Sequence, residues 1–350
     1  MKIALLLILL IVVISLIAVP KFNQRAQDWF AERMQLTTGL TPAPAPASPA
    51  STNATDDLRT LMLDLINQDR AVNGLTPVQL GGNPAAQAHA EELFENGFLG
   101  HWGLDGMKPY MRYTLAGGQG SESENASGSN TPRVQGTRYV TTPADDSLRL
   151  AQEGLMASPG HRRNILNPFH ETVNLGIACD DVNCAVVQQF ASNYLQFEHA
   201  PEIVLGQLEF SGKTVKGFRY KSAQVWFDAL PTPLEAAQIR TTYCYDSGTP
   251  IAFIRESAPL GAFYQEDSVE FTWTTCRRPG VTTSPPDQSG RLPWVDATVH
   301  RDQGDFFDVR VDISDYLAQY GRGVYTIIVW GDRDGSTVPL TNYSIFVENP

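Results

Sequence analysis

Ser158-Pro159-Gly160-His161-Arg162-Arg163-Asn164-Ile165-Leu166 is the stretch on which the fold turns. Pro159 disfavours helical backbone at Ser158, and Gly160 completes the stop, so the helix capped by Asp146-Ser147 ends here. That helix turns Leu148, Ala151, Leu155 and Met156 to one side. Residues 161–166 are expected as a further helical turn burying Ile165 and Leu166. Apolar runs at 173–179 and 184–191 follow and read as two strands joined by the acidic turn Asp180-Asp181-Val182-Asn183. Upstream, Leu58, Leu61, Met62, Leu65, Ile66 and Val72 recur mostly at three- and four-residue steps, the pattern of one buried helical face, which Asn73-Gly74 stops. Asn83-Pro84 reads as an N-cap and first turn of a second helix reaching Asn96, with Ala86, Ala90 and Leu93 as a small-residue face. Residues 97–136 are rich in glycine and serine and are expected as a long functional surface loop. Helices on a small sheet imply an α+β fold, a three-layer α-β-α sandwich.

His161 has two companions upstream. His101 lies in Phe98-Leu99-Gly100-His101-Trp102, and Glu124 lies in Ser123-Glu124-Asn125-Ala126. Imidazole and carboxylate in one cleft can bind a divalent metal or move protons. The three segments, in this order, resemble the CAP superfamily of cysteine-rich secretory and pathogenesis-related proteins, in its prokaryotic form. The run Trp102-Gly103-x-Asp105-Gly106-x-x-Pro109-x-x-Arg112 is similar to prokaryotic members as well. The resemblance covers about residues 57–194. It implies a cleft built from His101, Glu124, His161 and Asn125, with His101, His161 and Glu124 as ligands for zinc or another divalent cation. The family's fourth acidic position departs: Leu155 stands where a tryptophan is expected and Ser158 where a glutamate is expected. Glu153 lies on the same helix about 200° from Leu155 and substitutes only if the helix is turned. The family implies extracellular binding roles, lipid among them, without one agreed activity.

Two functions are therefore expected in competition. One is a non-catalytic, membrane-tethered module whose His/Glu cleft binds a ligand or metal. The other is a metal-assisted hydrolase in which His101 and His161 hold the metal and Glu124 acts as general base. A purely structural spacer is a third reading. A serine hydrolase built on Ser158 lacks a GxSxG elbow and an ordered acid partner. His89 reads as a partly buried helix histidine, and His170, His199 and His300 as surface residues.

At 350 residues the chain is long enough for two domains, and a hydrophobic fraction of 42% allows a sizeable core. A formal charge of −12 offers no basic stripe for nucleic acid, and no Gly-rich phosphate loop suggests a nucleotide. The four cysteines fall as Cys179 with Cys184 and Cys244 with Cys276. Their spacing suits disulfides better than zinc, with buried free thiols as the alternative, and disulfides imply an oxidising compartment.

Residues 3–19 are apolar except for Ser15. The run approaches the roughly 17 to 25 residues that span a bilayer. It lacks a clean small-x-small cleavage site, which favours an uncleaved signal anchor at 1–20 over a cleaved signal peptide. Lys2 opposes Lys21, Arg25 and Arg33, so charge does not set the orientation; the cysteines place the bulk of the chain outside the cell membrane, or in the medium if the segment is cleaved. A juxtamembrane and Pro/Ala-rich linker occupies 21–55. The first folded domain is expected at 56–200 and an antiparallel β-sandwich at 201–350, where β-branched and aromatic runs alternate with Gly, Pro and Asp. Polysaccharide or protein is a candidate ligand for that second domain. Its Trp226, Trp294 and Trp330 are better read as strand-core residues than as contacts.

Overall fold

A computed structural model describes residues 52–128, 134–135, 138–139, 142–282 and 287–348. The expected anchor at 1–20, and the linker up to residue 51, lie outside the described residues. Among the described residues no helix is long and apolar enough to cross a membrane.

The chain opens with α1 (Thr52–Val72), which buries Met62 and Ile66 and is followed by Gly74 at φ 71°, the left-handed backbone that glycine adopts freely. Four strands form the first sheet: β1 (Gln79–Leu80), β2 (Ser121–Gly128), β5 (Thr172–Cys179) and β6 (Cys184–Ser192), in the order β1-β5-β6-β2. Side chains alternate across it. Val173, Leu175, Ile177, Val186 and Phe190 face a core shared with α1, α4 (Ala144–Ala157) and α5 (Pro159–Ile165). Ala126, Ala185 and Val187 face the opposite core, shared with α2 (Ala85–Glu95). Helices thus cover both faces of the sheet. The small face of α2 permits a close approach: a Cβ added at Gly176 of β5 would collide with the Ala86 carbonyl.

The long loop expected at 97–136 is corrected by the structure. It contains α3 (Pro109–Leu115), the buried strand β2 and the short β3 (Val134–Gln135), which pairs with β4 (Arg138–Tyr139) just beyond it. β2 reads Ser-Glu-Ser-Glu-Asn-Ala-Ser-Gly, with none of the apolar alternation that marks a half-buried strand, so its burial rests on hydrogen bonds.

The remainder is strand-rich. A six-stranded sheet runs β11-β12-β10-β9-β15-β16, built from β9 (Arg219–Ala229), β10 (Thr249–Glu256), β11 (Ser268–Trp273), β12 (Gln288–Ala297), β15 (Gly323–Arg333) and β16 (Ser336–Val347). A four-stranded sheet runs β13-β14-β8-β7, from β7 (Leu195–Val204), β8 (Gln207–Thr214), β13 (Val299–Gln303) and β14 (Phe306–Asp312). One core joins them: Val225, Tyr325, Ile327 and Val329 meet Leu208, Phe210, Phe307 and Val309. Leu317 of α7 (Ser314–Tyr320) adds to that core. Two expectations need adjusting. The boundary between 200 and 201 falls inside β7, and β10 pairs with β12 in parallel, Phe253 opposite Trp294, within an otherwise antiparallel sheet. Trp226 is buried, while Trp294 and Trp330 are partly buried.

Both expected disulfides are present, Cys179–Cys184 closing the β5–β6 hairpin and Cys244–Cys276 linking two loops of the C-terminal part. β2 is an edge strand, and side chains from the C-terminal part take its outward main-chain groups. Asn342 of β16 accepts from the Glu122 N–H and donates to the Glu122 carbonyl, each at 3.0 Å.

Candidate functional site

The edge strand β2 puts Glu122 and Glu124 on the α2 side of the sheet and Ser123 and Asn125 on the α5 side. His101, in the loop after α2, and His161, in the first turn of α5, reach this edge from opposite faces. Their ring centroids lie 6.5 Å apart, tilted by 51°. His101 Nδ1 lies 2.9 Å from Glu124 Oε1, and Arg112 Nη2 donates to Glu124 Oε2 at 3.0 Å. The three residues singled out in the sequence therefore converge. His101 is buried and His161 half-buried, so the approach from solvent is past His161.

Glu124 is completely enclosed. Burial alone would push its carboxyl up, but Arg112, His89 and His101 outweigh it and hold the group at about 2. An ionised Glu124 can only accept, so Nδ1 of His101 is the donor in this bond, and the tautomer it selects has its lone pair on Nε2. Burial, followed by the neighbouring His101, pushes His161 below its ordinary value, favouring a neutral ring at that position. Glu122, two residues from Glu124, goes the other way. Burial and the Glu124 anion push it well up, with Arg112 pulling back. Gln189 lies close enough to act on Glu122, yet neither side chain makes an aligned hydrogen bond.

The metal set of His101, His161 and Glu124 is not assembled as such. Among the described residues no group of three or more His, Cys, Asp or Glu side chains is disposed to hold a metal ion. The physical reason is that one Glu124 oxygen faces the His101 ring and the other the Arg112 guanidinium. A carboxylate held this way orients the imidazole and does not offer itself as a ligand. It is equally ill-suited as a general base, because a group with a value near 2 has little affinity for a proton at neutral pH. Two imidazole lone pairs are what the residues offer a cation.

Asn125 serves the other histidine. Its amide donates to the His161 carbonyl at 3.3 Å and to Gln188 Oε1 at 3.2 Å, and its Oδ1 accepts from Asn164 at 3.0 Å. The chain continues through Gln188 to Gln152 at 2.7 Å and from Gln152 to Asp69 at 2.7 Å. His170, expected on the surface, is buried in the same network, 2.8 Å from Asn164 Oδ1 and stacked on Phe190. Glu153 does not take part: it is exposed on α4, with no hydrogen bond or ion pair to the other site residues among those described.

Several supporting groups have no clear signal in the sequence. Arg112 is visible there only as the end of the Trp102–Arg112 run. It also holds the His101 carbonyl at 2.9 Å and the Met107 carbonyl at 2.8 Å. His89 is more than a helix histidine. It bridges Glu92 at 3.0 Å and the Gly100 carbonyl at 3.0 Å, fixing the residue before His101. Tyr245 packs edge-on against the His101 ring at 5.1 Å, and no sequence signal could place it there from 121 residues beyond Glu124.

Residues 63–190 match the family model described as CAP, the cysteine-rich secretory protein family. The chain carries a CAP domain. His101, Glu124 and His161 all fall within the match, whereas Tyr245 lies outside it. An extracellular protein containing a SCP domain from Bacillus anthracis str. Ames is similar in structure at 20% identity and a TM-score of 0.31, over 42% of this chain and 45% of that one. This chain thus spans less than half the length of that relative. An outer surface protein from Borrelia burgdorferi is similar at 17% identity and a TM-score of 0.32, over 39% of this chain and 94% of that one. No curated protein matches. Around the CAP domain's histidines, two imidazoles approach each other at the sheet edge and the one carboxylate beside them is already committed to holding His101.

Proposed function

We propose that the protein is an extracytoplasmic, membrane-tethered CAP-domain module that binds without catalysing. In this reading His101 and His161 share one divalent cation, zinc serving as the probe, and the remaining coordination positions are open to a ligand. The observation that carries it is the commitment of Glu124 to His101 Nδ1 and Arg112, which leaves two imidazoles to face a ligand and takes that carboxylate out of play as a base. A ligating histidine whose second nitrogen donates to a carboxylate is a recurrent arrangement, and the carboxylate raises the ring's basicity. The apolar run at 3–19 and the linker after it support tethering, and the two disulfides support an oxidising compartment.

Zinc titration of the purified full chain tests the site. One ion per chain is expected, with binding lost in both His101→Ala and His161→Ala. Failure of wild type to take up zinc, or undiminished uptake in both variants, overturns the cation. Turnover of an ester or peptide that disappears in Glu124→Gln overturns the non-catalytic assignment.

A further inference from the structure

The loop that carries His101 is gripped along its length by a strap from the C-terminal part, residues 230–248, between β9 and β10. Ile239 of the short helix α6 (Ala236–Ile239) lies so close to Gly100 that an added Cβ would come within 2.6 Å of its Cγ2. Trp102 Nε1 donates to the Cys244 carbonyl at 3.1 Å, and the Leu234 N–H donates to the Leu104 carbonyl at 2.7 Å. At Gly106, with φ 82°, an added Cβ would collide with the Thr232 main chain. The flanks are pinned by charge. Buried Lys108 meets Asp228 at 2.7 Å and Asp246 at 2.6 Å, Tyr110 donates to Asp228 at 2.6 Å, and Cys244 is joined to Cys276.

Tyr245 stands at the centre of this grip. Its ring meets the His101 imidazole edge-on at 5.1 Å, and its hydroxyl accepts the Glu124 N–H at 3.2 Å. One side chain from outside the CAP match therefore touches both members of the His101–Glu124 pair. We infer that the CAP site of this protein is composite, and that Tyr245 is a positioning residue. Its ring sets the tilt of His101, and its hydroxyl holds the β2 backbone that aims Glu124 at His101 Nδ1. The inference rests on the binding reading above for its consequence, a cation held by His101, but not for the placement of the ring.

The test uses the full chain with Tyr245→Phe and Tyr245→Leu, and Leu317→Ala as a control that weakens the distant C-terminal core. Imidazole 15N shifts at one neutral pH report which His101 nitrogen is protonated, and zinc affinity reports whether Nε2 remains presented. A Tyr245→Leu protein is expected to lose the single Nδ1–H signature and to bind zinc about tenfold or more weakly, the usual loss for a partner behind a ligand. Tyr245→Phe is expected to keep the ring signature and fall between the two. Leu317→Ala should lower the melting temperature and leave both readouts unchanged. A Tyr245→Leu protein with the wild-type His101 signature overturns the inference, whatever its melting temperature. A wild type that binds no zinc but loses its His101 signature in Tyr245→Leu overturns the cation reading and leaves the positioning role standing.

Discussion

Glu122 and Glu124 point the same way from β2, yet their surroundings drive them to opposite charge states. Glu124 has Arg112 and an imidazole on its oxygens and stays ionised; Glu122 has no aligned donor and is pushed toward its neutral form. His170 shows the same logic for a base. Burial, then Arg70, pulls it from 6.5 to about 3, and its Nδ1 lacks a partner, as befits a neutral ring protonated on Nε2. A lowered folded-state value means the unfolded chain takes up the proton first. The contribution of His170 to stability is complete above 6.5 and is lost as pH falls from there toward 3. Between about pH 6.5 and 4.5, urea unfolding should show wild type losing roughly 2 to 3 kcal/mol more than His170→Gln. Glu122 acts in the reverse sense above its ordinary value of 4.5 but is common to both proteins, so it cancels. Equal losses would refute the assignment. At this scale the sequence is readable where residues sit in a short patterned run, as His101, Glu124 and His161 do. Glu153 depends on a helix rotation that its exposure does not support, and buried His170 carries no local pattern at all.

Strands and helices with apolar periodicity are legible: α1, α2, β5, β6 and most C-terminal strands overlap their expected positions. β2 is not, because periodicity registers only apolar burial, and this strand buries Glu124 and Asn125 against hydrogen-bond partners. α3 is hidden for a related reason, since Pro109-Tyr110-Met111-Arg112-Tyr113-Thr114-Leu115 is buried on nearly every side and has no polar face to mark a helix. The closeness of α2 to the sheet supports a prediction at this scale. Gly176→Ala should drive α2 off β5 and destabilise the protein by about 1–3 kcal/mol or more, as overpacked cores do. Chemical denaturation reads this directly, and a neutral effect would mean that α2 does not lie where it is described.

The whole molecule departs most from its sequence reading in how its two parts meet. Length and the change of pattern near residue 200 suggest two domains, 56–200 and 201–350. The described chain has a main core in each part and also shares side chains across the divide: Ile239 lies in the core of α2 and Phe98, and Val324 lies with Met107, Tyr110 and Met111. Residues 52–194 expressed alone would expose these surfaces and leave Lys108 without its aspartates. That fragment is expected to lack a cooperative melting transition, and a sharp transition in calorimetry would show instead that the CAP domain is self-sufficient. These contacts are long-range, and nothing local distinguishes Asp228, Tyr245 or Asn342 from ordinary loop and strand residues, so the shared core has no mark in the sequence.

Asn342 has one more effect. Its carboxamide occupies the N–H and C=O of Glu122 as a neighbouring peptide group would, while Tyr245 occupies the next outward N–H, at Glu124. A sheet margin normally invites any passing extended chain to zip onto it. Here that invitation is withdrawn by mimicry, so the histidine cleft sits on a border that is sealed against growth by the protein's own far end.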